Sequence, residues 1–249
     1  MKVLILAAGY GTRLYPVIID TPKALLEIQG KPITYYILEK VKDLPGLNEI
    51  LIVTNNKFTP HFQDWAKKQS YPHPIRIIND KTNTPEERLG SIGDIRFVLE
   101  NGKVKDDVLV VGGDNLFDYS LEDYTHFSQK NPENVTIGIY DVGNLEDAKK
   151  FGVVAVDGKQ KIISFEEKPQ NPKSSLIAMC CYYLPKKTLG FINDYLIESK
   201  KSDTAGDYIR WLFQKKDVYG FKFSGKWYDI GSIEAYHDAQ KAFLTNKKS

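Results

Sequence analysis

At 249 residues the chain is long enough for one α/β domain or two small ones, and 42% hydrophobic with 27% charged residues is a globular composition that excludes a disordered chain. A formal net charge of +2 gives no electrostatic case for a nucleic-acid or membrane partner, and no apolar run is long enough to span a bilayer. The only cysteines, Cys180 and Cys181, are neighbours that cannot staple distant segments, and the four scattered histidines form no zinc-binding pattern. The expected setting is cytoplasmic, with no signal segment ahead of the first strand.

Residues 3–6 (VLIL) are a short apolar run that stops at Ala7-Ala8-Gly9-Tyr10-Gly11-Thr12-Arg13, which predicts a strand buried on both faces and ending in a turn. Ala7, Ala8, Gly9 and Gly11 leave backbone N–H groups unshielded, and Arg13 and Lys23 add positive charge, a combination that suits nucleotide phosphates. Two known glycine patterns fail here. Walker A needs Gly-Lys-Ser/Thr after a four-residue gap, and the dinucleotide fingerprint needs a third glycine where Leu14 stands.

Residues 31–43 carry Ile33, Ile37, Leu38 and Val41 at helical spacing, with Pro32 expected in the first turn. Residues 49–54 read as a second strand, 58–69 as a helix and 74–79 as a third strand. A polar loop fills 80–88, a helix runs from Gly90 to about Leu99, and a fourth strand at 108–111 ends in Gly112-Gly113-Asp114-Asn115. This alternation predicts a mostly parallel sheet with helices on both faces. The second half holds a helix at 121–130, a strand at 135–140, and shorter strands at 152–156, 162–165 and 176–184, with Asp157-Gly158 as a hairpin turn. Helices at 186–200 and 206–215, strands at 218–223 and 226–230, and a helix at 233–244 complete the chain. The expectation is a single α/β domain over 1–249, its central sheet mixed but mostly parallel, with a small antiparallel insertion. Cys180-Cys181, Tyr35-Tyr36 and Tyr182-Tyr183 read as packing residues.

In open α/β sheets ligands gather at the carboxyl ends of the strands. The glycine turn, Asp114, and Asp229 in Trp227-Tyr228-Asp229-Ile230-Gly231 all stand at such ends. Two converging carboxylates suit Mg²⁺, which takes one or two carboxylates plus phosphate oxygens; singly, each reads as a turn residue or helix cap. In Glu166-Glu167-Lys168-Pro169 the proline fixes the chain's exit. Lys168 suits a phosphate and Glu167 can accept from sugar hydroxyls, the plain alternative being a solvated turn. The set suits a reaction between two phosphates. Such a nucleophile is already ionised, so no general base is needed, and catalysis is positioning plus electrostatics.

Seven segments in order resemble the sugar-1-phosphate nucleotidyltransferases, most closely the bacterial glucose-1-phosphate thymidylyl- and uridylyltransferases: residues 6–14 (LAAGYGTRL), 22–26 (PKALL), 30–33 (GKPI), 113–115 (GDN), 151–154 (FGVV), 166–169 (EEKP) and 227–231 (WYDIG). The resemblance implies a Rossmann-like three-layer sandwich, the nucleotide-diphospho-sugar transferase fold. It implies the reaction NTP + sugar-1-phosphate → NDP-sugar + pyrophosphate, with UTP or dTTP and glucose-1-phosphate favoured. It further implies that Leu6, Ala7, Ala8, Gly9, Gly11 and Thr12 line the nucleotide, that Arg13 and Lys23 grip the triphosphate, and that Asp114 and Asp229 hold Mg²⁺ as cofactor. Asn115, Gly152 and Glu167 would contact the sugar and Lys168 its phosphate. The implied catalytic set is Arg13, Lys23, Asp114, Lys168 and Asp229.

The chain departs from the family in two places. The family's base reader is Gln-x-x-x-x-Gly; with Gly90 as its glycine, the glutamine position falls on Pro85, which leaves Asn83 and Arg88 as candidate readers. The family's Glu-Ile/Leu-Thr-Asp element stands here as Thr204-Ala205-Gly206-Asp207. No β-helical extension follows the last helix, so acyltransferase activity is not expected. Three alternatives stay open. They are the same chemistry with CTP or GTP and another sugar phosphate, a glycosyltransferase, and a non-catalytic sugar-nucleotide sensor. Against the second, Asp114-Asn115-Leu116 lacks the second aspartate of Asp-x-Asp; against the third, a sensor has no need of leaving-group cations. The expected partners are the NTP and the sugar-1-phosphate, with a homo-oligomer left open.

Overall fold

A computed structural model describes residues 1–14, 20–199 and 204–245. The chain opens with β1 (Lys2–Leu6), whose Val3, Leu4 and Ile5 are wholly buried, as a strand covered on both faces must be. Two 3-10 turns, Thr12–Leu14 and Lys23–Leu25, precede a hairpin of β2 (Glu27–Ile28) and β3 (Lys31–Pro32), and then α1 (Ile33–Val41). Pro32 is therefore not in the helix's first turn, as expected, but just ahead of it. Gln29 (φ 51°) and Gly30 (φ 76°) are both left-handed, a two-residue turn that draws Lys31–Pro32 into the ladder opposite Glu27–Ile28.

The next elements are β4 (Glu49–Thr54), α2 (Thr59–Lys67), β5 (Ile75–Asn79), α3 (Gly90–Asn101) and β6 (Val108–Gly112). All lie where periodicity places them, and a 3-10 turn at Pro85–Glu87 sits within the polar loop. Then come β7 (Asn115–Phe117), α4 (Glu122–Gln129), β8 (Val135–Asp141) and α5 (Leu145–Ala148). Neither β7 nor α5 is foreseen, since three or four residues carry too little periodicity. α5 is a single turn capped by Asn144, whose Oδ1 accepts the Asp147 N–H at 2.8 Å.

β9 (Gly152–Val156), β10 (Ile162–Glu167), β11 (Leu176–Leu184), α6 (Gly190–Ser199), α7 (Ala205–Phe213), β12 (Val218–Lys222), β13 (Trp227–Asp229) and α8 (Ile233–Thr245) complete the order. The β9–β10 connection is longer than an Asp157-Gly158 turn. Asp157 Oδ1 accepts the N–H groups of Lys159 and Lys161, and Gln160 takes φ 66°. The helix expected from 186 starts at Gly190, behind a 3-10 turn at Lys186–Thr188, and Lys200 lies outside the described residues.

The fold is Rossmann-like α/β: a mixed, mostly parallel central sheet with helices, and small antiparallel sheets at β2–β3 and β7–β13. Two compact units interleave along the chain. The first takes residues 1–2, 89–110 and 121–224. Its hub is β11, which pairs antiparallel with β8 and β9 and neighbours β6; β12 runs parallel to β8, and β10 antiparallel to β9. The buried Tyr124 hydroxyl donates to Thr136 O at 2.8 Å, and its ring meets Phe221 and Phe223. Tyr182 and Tyr183 are buried packing residues. So is Cys181, whose thiol is pushed up to about 12 by burial and is no nucleophile at neutral pH.

The second unit takes residues 3–88, 111–120 and 225–249. In it β1 lies beside β4, and β4 runs in parallel register with β5, from Ile50↔Ile75 to Thr54↔Asn79. α8 is tied to the β2–β3 hairpin by Gln240 Nε2 donating to Glu27 O at 2.7 Å and Gln29 Nε2 donating to Gln240 O at 2.9 Å. No helix among the described residues is long and apolar enough to cross a membrane.

Candidate active site

The turn after β1 is held from below. Ala7 N–H donates to Val53 O at 2.9 Å, and Asn55 Nδ2 donates to Ala8 O at 2.9 Å. Asn55 is wholly buried; its Oδ1 also accepts the Phe58 N–H at 3.0 Å, so one amide fixes both the glycine turn and the start of α2. Above the turn the space is open, with nothing within 4 Å of where a Gly9 Cβ would stand. Gly11 at φ 64° starts the 3-10 turn that Leu14 N–H closes on Gly11 O at 2.9 Å. Thr12 is exposed. Arg13 gives its backbone to this turn, and its side chain lies outside the described part of the structure.

Lys23 leaves an extended Pro22 and opens its own 3-10 turn, which Thr34 steadies by donating to Ala24 O at 2.7 Å. Its Nζ donates to Asp114 Oδ2 at 2.6 Å, the two side chains being 20% and 34% exposed. Gly113 makes this meeting possible. Its N–H donates to Leu6 O at 2.9 Å, and a Cβ there would stand 2.7 Å from Leu6 O and 3.1 Å from the Ala24 Cβ. Only a glycine lets the chain leaving β6 pass this close to the end of β1.

Asp229 arrives through the β7–β13 ladder. It stands opposite Asn115, one residue from Asp114, while Ile230 N–H donates to Asp114 O at 3.0 Å. Opposed residues in such a ladder have Cα atoms about 5 Å apart, so the two aspartates share one neighbourhood. Asn115 is 3% exposed and its amide is engaged at both ends, donating to Asp114 Oδ1 at 3.0 Å and accepting from Trp227 Nε1 at 2.7 Å. It orients the Asp114 carboxylate. Among the described residues no group of three or more His, Cys, Asp or Glu side chains is arranged to hold a metal. The Asp114–Asp229 pair offers hard carboxylate oxygens from the residue just ahead of β7 and the last residue of β13. That donor set fits Mg²⁺, which completes its shell with water and phosphate oxygens.

The loop at 80–88 attaches to the same unit. Asp80 N–H donates to Thr54 O at 2.9 Å, its carboxylate accepts the Thr82 N–H at 2.7 Å, and the Thr82 hydroxyl meets Tyr10 OH at 3.2 Å. Asn83 Oδ1 accepts from Asn56 Nδ2 at 2.9 Å, and Asn83 N–H donates to Glu87 Oε2 at 2.7 Å, which holds the Glu87 carboxyl below its ordinary range. Arg88 is exposed at the end of the loop.

The remaining expected residues belong to the first unit. Gly90, at φ 76°, opens α3. Gly152 and Glu167 are opposed in the β9–β10 ladder. Lys168 follows at φ 45°, a left-handed backbone that costs a lysine roughly 1–3 kcal/mol, and its N–H is held by Phe151 O at 3.0 Å. The Phe151 carbonyl gives the lysine backbone a fixed origin. The Lys168 Nζ is 4.0 Å from Glu167 Oε1. Burial pushes the Glu167 carboxyl up; Lys168 and Arg210 pull it down, and Asp207 raises it further.

The structure thus gathers Leu6, Ala7, Ala8, Gly9, Gly11, Thr12, Lys23, Asp114, Asn115 and Asp229 in one unit, and Gly152, Glu167 and Lys168 in the other. Asn55 escapes the sequence reading. Its one signal is an amide directly after a buried strand.

Residues 2–246 match the model of the family described as "Nucleotidyl transferase". Among curated relatives, the chain is 32% identical over 249 residues to a bifunctional protein GlmU of Methanocaldococcus jannaschii, covering 98% of this chain and 54% of the relative. It is 27% identical to a bifunctional sugar-1-phosphate nucleotidylyltransferase/acetyltransferase of Sulfurisphaera tokodaii, covering 99% of this chain and 56% of the relative. The chain therefore spans about half the length of these relatives. A solved UDP-glucose pyrophosphorylase complexed with UDP-glucose superposes with a TM-score of 0.83 at 24% identity, over 98% of both chains, and shares the fold. With the family pattern running along nearly all of its length, the chain belongs to the nucleotidyl transferase family.

Proposed function

We propose that the chain transfers a nucleotidyl group from an NTP to a sugar-1-phosphate, releasing pyrophosphate. The observation that carries this reading is the Lys23–Asp114 pair at 2.6 Å beside the glycine turn, with Asp229 opposite Asn115, the next residue in the chain. Transfer between two phosphates is served by that mixture of cation, carboxylates and unshielded N–H groups, and because the attacking phosphate is already ionised it needs no general base. A phosphate oxygen of the sugar-1-phosphate attacks the α-phosphorus. The new P–O bond forms as the bridging α–β P–O bond breaks, and pyrophosphate leaves with the electron pair.

In this reading Leu6, Ala7, Ala8, Gly9, Gly11 and Thr12 receive the nucleotide, with Asn83, Arg88 and Gly90 toward the base. Arg13 and Lys23 steady the triphosphate and the departing charge. Asp114 and Asp229 hold Mg²⁺, which when bound neutralises phosphate charge. Glu167 and Gly152 meet the sugar, and Lys168 its phosphate. UTP or dTTP with glucose-1-phosphate are the substrates to try first, for a single cytoplasmic nucleotidyltransferase domain. The test is pyrophosphate release from UTP, dTTP, CTP, GTP and ATP, each with several sugar-1-phosphates and Mg²⁺. Release with at least one pair is expected. No release with any pair, together with consumption of a UDP-sugar, would move the chain to a glycosyltransferase.

A further inference from the structure

The Glu167 carboxylate lies in a slot between two glycines. A Cβ built on Gly206, in the first turn of α7, would come 2.0 Å from Oε2 and 2.8 Å from Cδ. On the other side, a Cβ on Gly152 of β9 would stand 3.1 Å from Oε2 and 2.5 Å from the Phe165 ring. Residue 206 therefore decides whether the carboxylate can stand where it does. The helix is in no position to retreat. Thr204 caps it, donating its hydroxyl to Asp207 Oδ2 at 2.7 Å, Arg210 pairs with Asp207 Oδ1 at 2.7 Å, and Tyr208, Ile209 and Leu212 are buried. Nothing else calls for a glycine here. Gly206 is not among the residues at positive φ, and glycine is a poor helix former.

We infer that Gly206 is a positioning residue at the sugar end of the site: its missing side chain sets where the Glu167 carboxylate stands, and so which sugar hydroxyl that carboxylate can accept from. The identity of the ligand rests on the proposed function; the placement of the carboxylate does not. The charged groups facing Glu167 are Lys168 beside it on the chain, and Asp207 and Arg210 from α7.

Gly206→Ala tests the inference. The KM for the sugar-1-phosphate is expected to rise about tenfold, the loss of one hydrogen bond to a charged group, while the KM for the NTP stays within about twofold. The thermal midpoint should hold or rise, because alanine favours the helix. Glu167→Asp shortens the side chain by one methylene, so adding it to Gly206→Ala should recover part of the lost sugar-phosphate affinity. A second readout needs no turnover. The Glu167 carboxyl carbon, assigned in an NMR titration by its loss in Glu167→Gln, should titrate above the ordinary carboxylate range in the wild type. In Gly206→Ala it should move back toward that range as the group is pushed into solvent. Unchanged KM values with an unchanged titration would overturn the inference. So would an equal rise in both KM values with a lowered midpoint, the mark of general damage. If the wild type turns over no substrate pair, the functional reading falls, and the titration still decides the placement.

Discussion

Lys23 and Asp114 are partly exposed, so their ion pair contributes at most about 1 kcal/mol to stability. Their role in the proposed chemistry is much larger. Removing one preorganised charge from a phosphate-transfer site costs on the order of 10²–10³ in rate. Lys23→Met and Asp114→Asn should each lower kcat/KM by that factor while the urea midpoint barely moves. A stability loss that accounts for the rate loss would remove the pair from the chemistry. These residues were legible in the sequence because their type is informative beside glycines at strand ends. Asn55 was not. Its contribution is a hydrogen bond to a carbonyl 47 residues away, which leaves no periodic trace and no motif of its own. The amides of Asn83 and Asn115 were legible as polar groups near the site, but their engagement with Asn56, Glu87, Asp114 and Trp227 exists only in three dimensions.

Between elements, the decisive approach is the end of β6 against the end of β1. Gly113→Ala would drive a methyl to 2.7 Å from Leu6 O, a backbone atom of a strand wholly buried in its middle, so neither side yields cheaply. A cost of about 1–3 kcal/mol is expected, together with reduced turnover, because Asp114 is the next residue. Thermal unfolding and the pyrophosphate assay read the two effects on the same sample. The main strands and helices were legible from periodicity. The elements that went unforeseen share one cause: β2, β3, β7 and α5 are two to four residues long, and cross-strand pairing, not local pattern, makes the strands among them. Pro32 shows the rule at work. Alone it reads as a helix opener, but the left-handed Gln29-Gly30 pair recruits it into a hairpin.

For the molecule as a whole, acid stability follows from which carboxylates folding favours. Asp141, at the end of β8, accepts from the Ser175 hydroxyl at 2.7 Å, the Lys222 ammonium at 3.0 Å and the Gly143 N–H at 3.1 Å. The Ser175 bond first, then Lys222 and Gly143, lower its carboxyl from 3.8 to about 2. A depressed carboxyl stabilises the fold above its ordinary value and loses that contribution as pH falls from 3.8 towards about 2. Asp141→Asn should therefore lower the thermal midpoint at pH 7 and flatten its fall across that acid window. Because the side chain is 38% exposed, solvent screening keeps the change below about 1 kcal/mol, and a midpoint series in buffers of graded pH measures it. Glu167 works in the opposite sense, its raised carboxyl costing stability once pH passes the ordinary carboxylate value. The interleaving of the two units has a consequence in time. Asn115 and Trp227, whose hydrogen bond links β7 to β13, are 112 residues apart in the chain. At ribosomal speeds that interval lasts roughly ten seconds. The partner strand β13 and its aspartate thus follow well after β7, and a nascent chain carries the glycine turn, Lys23 and Asp114 before it can assemble the pair of carboxylates.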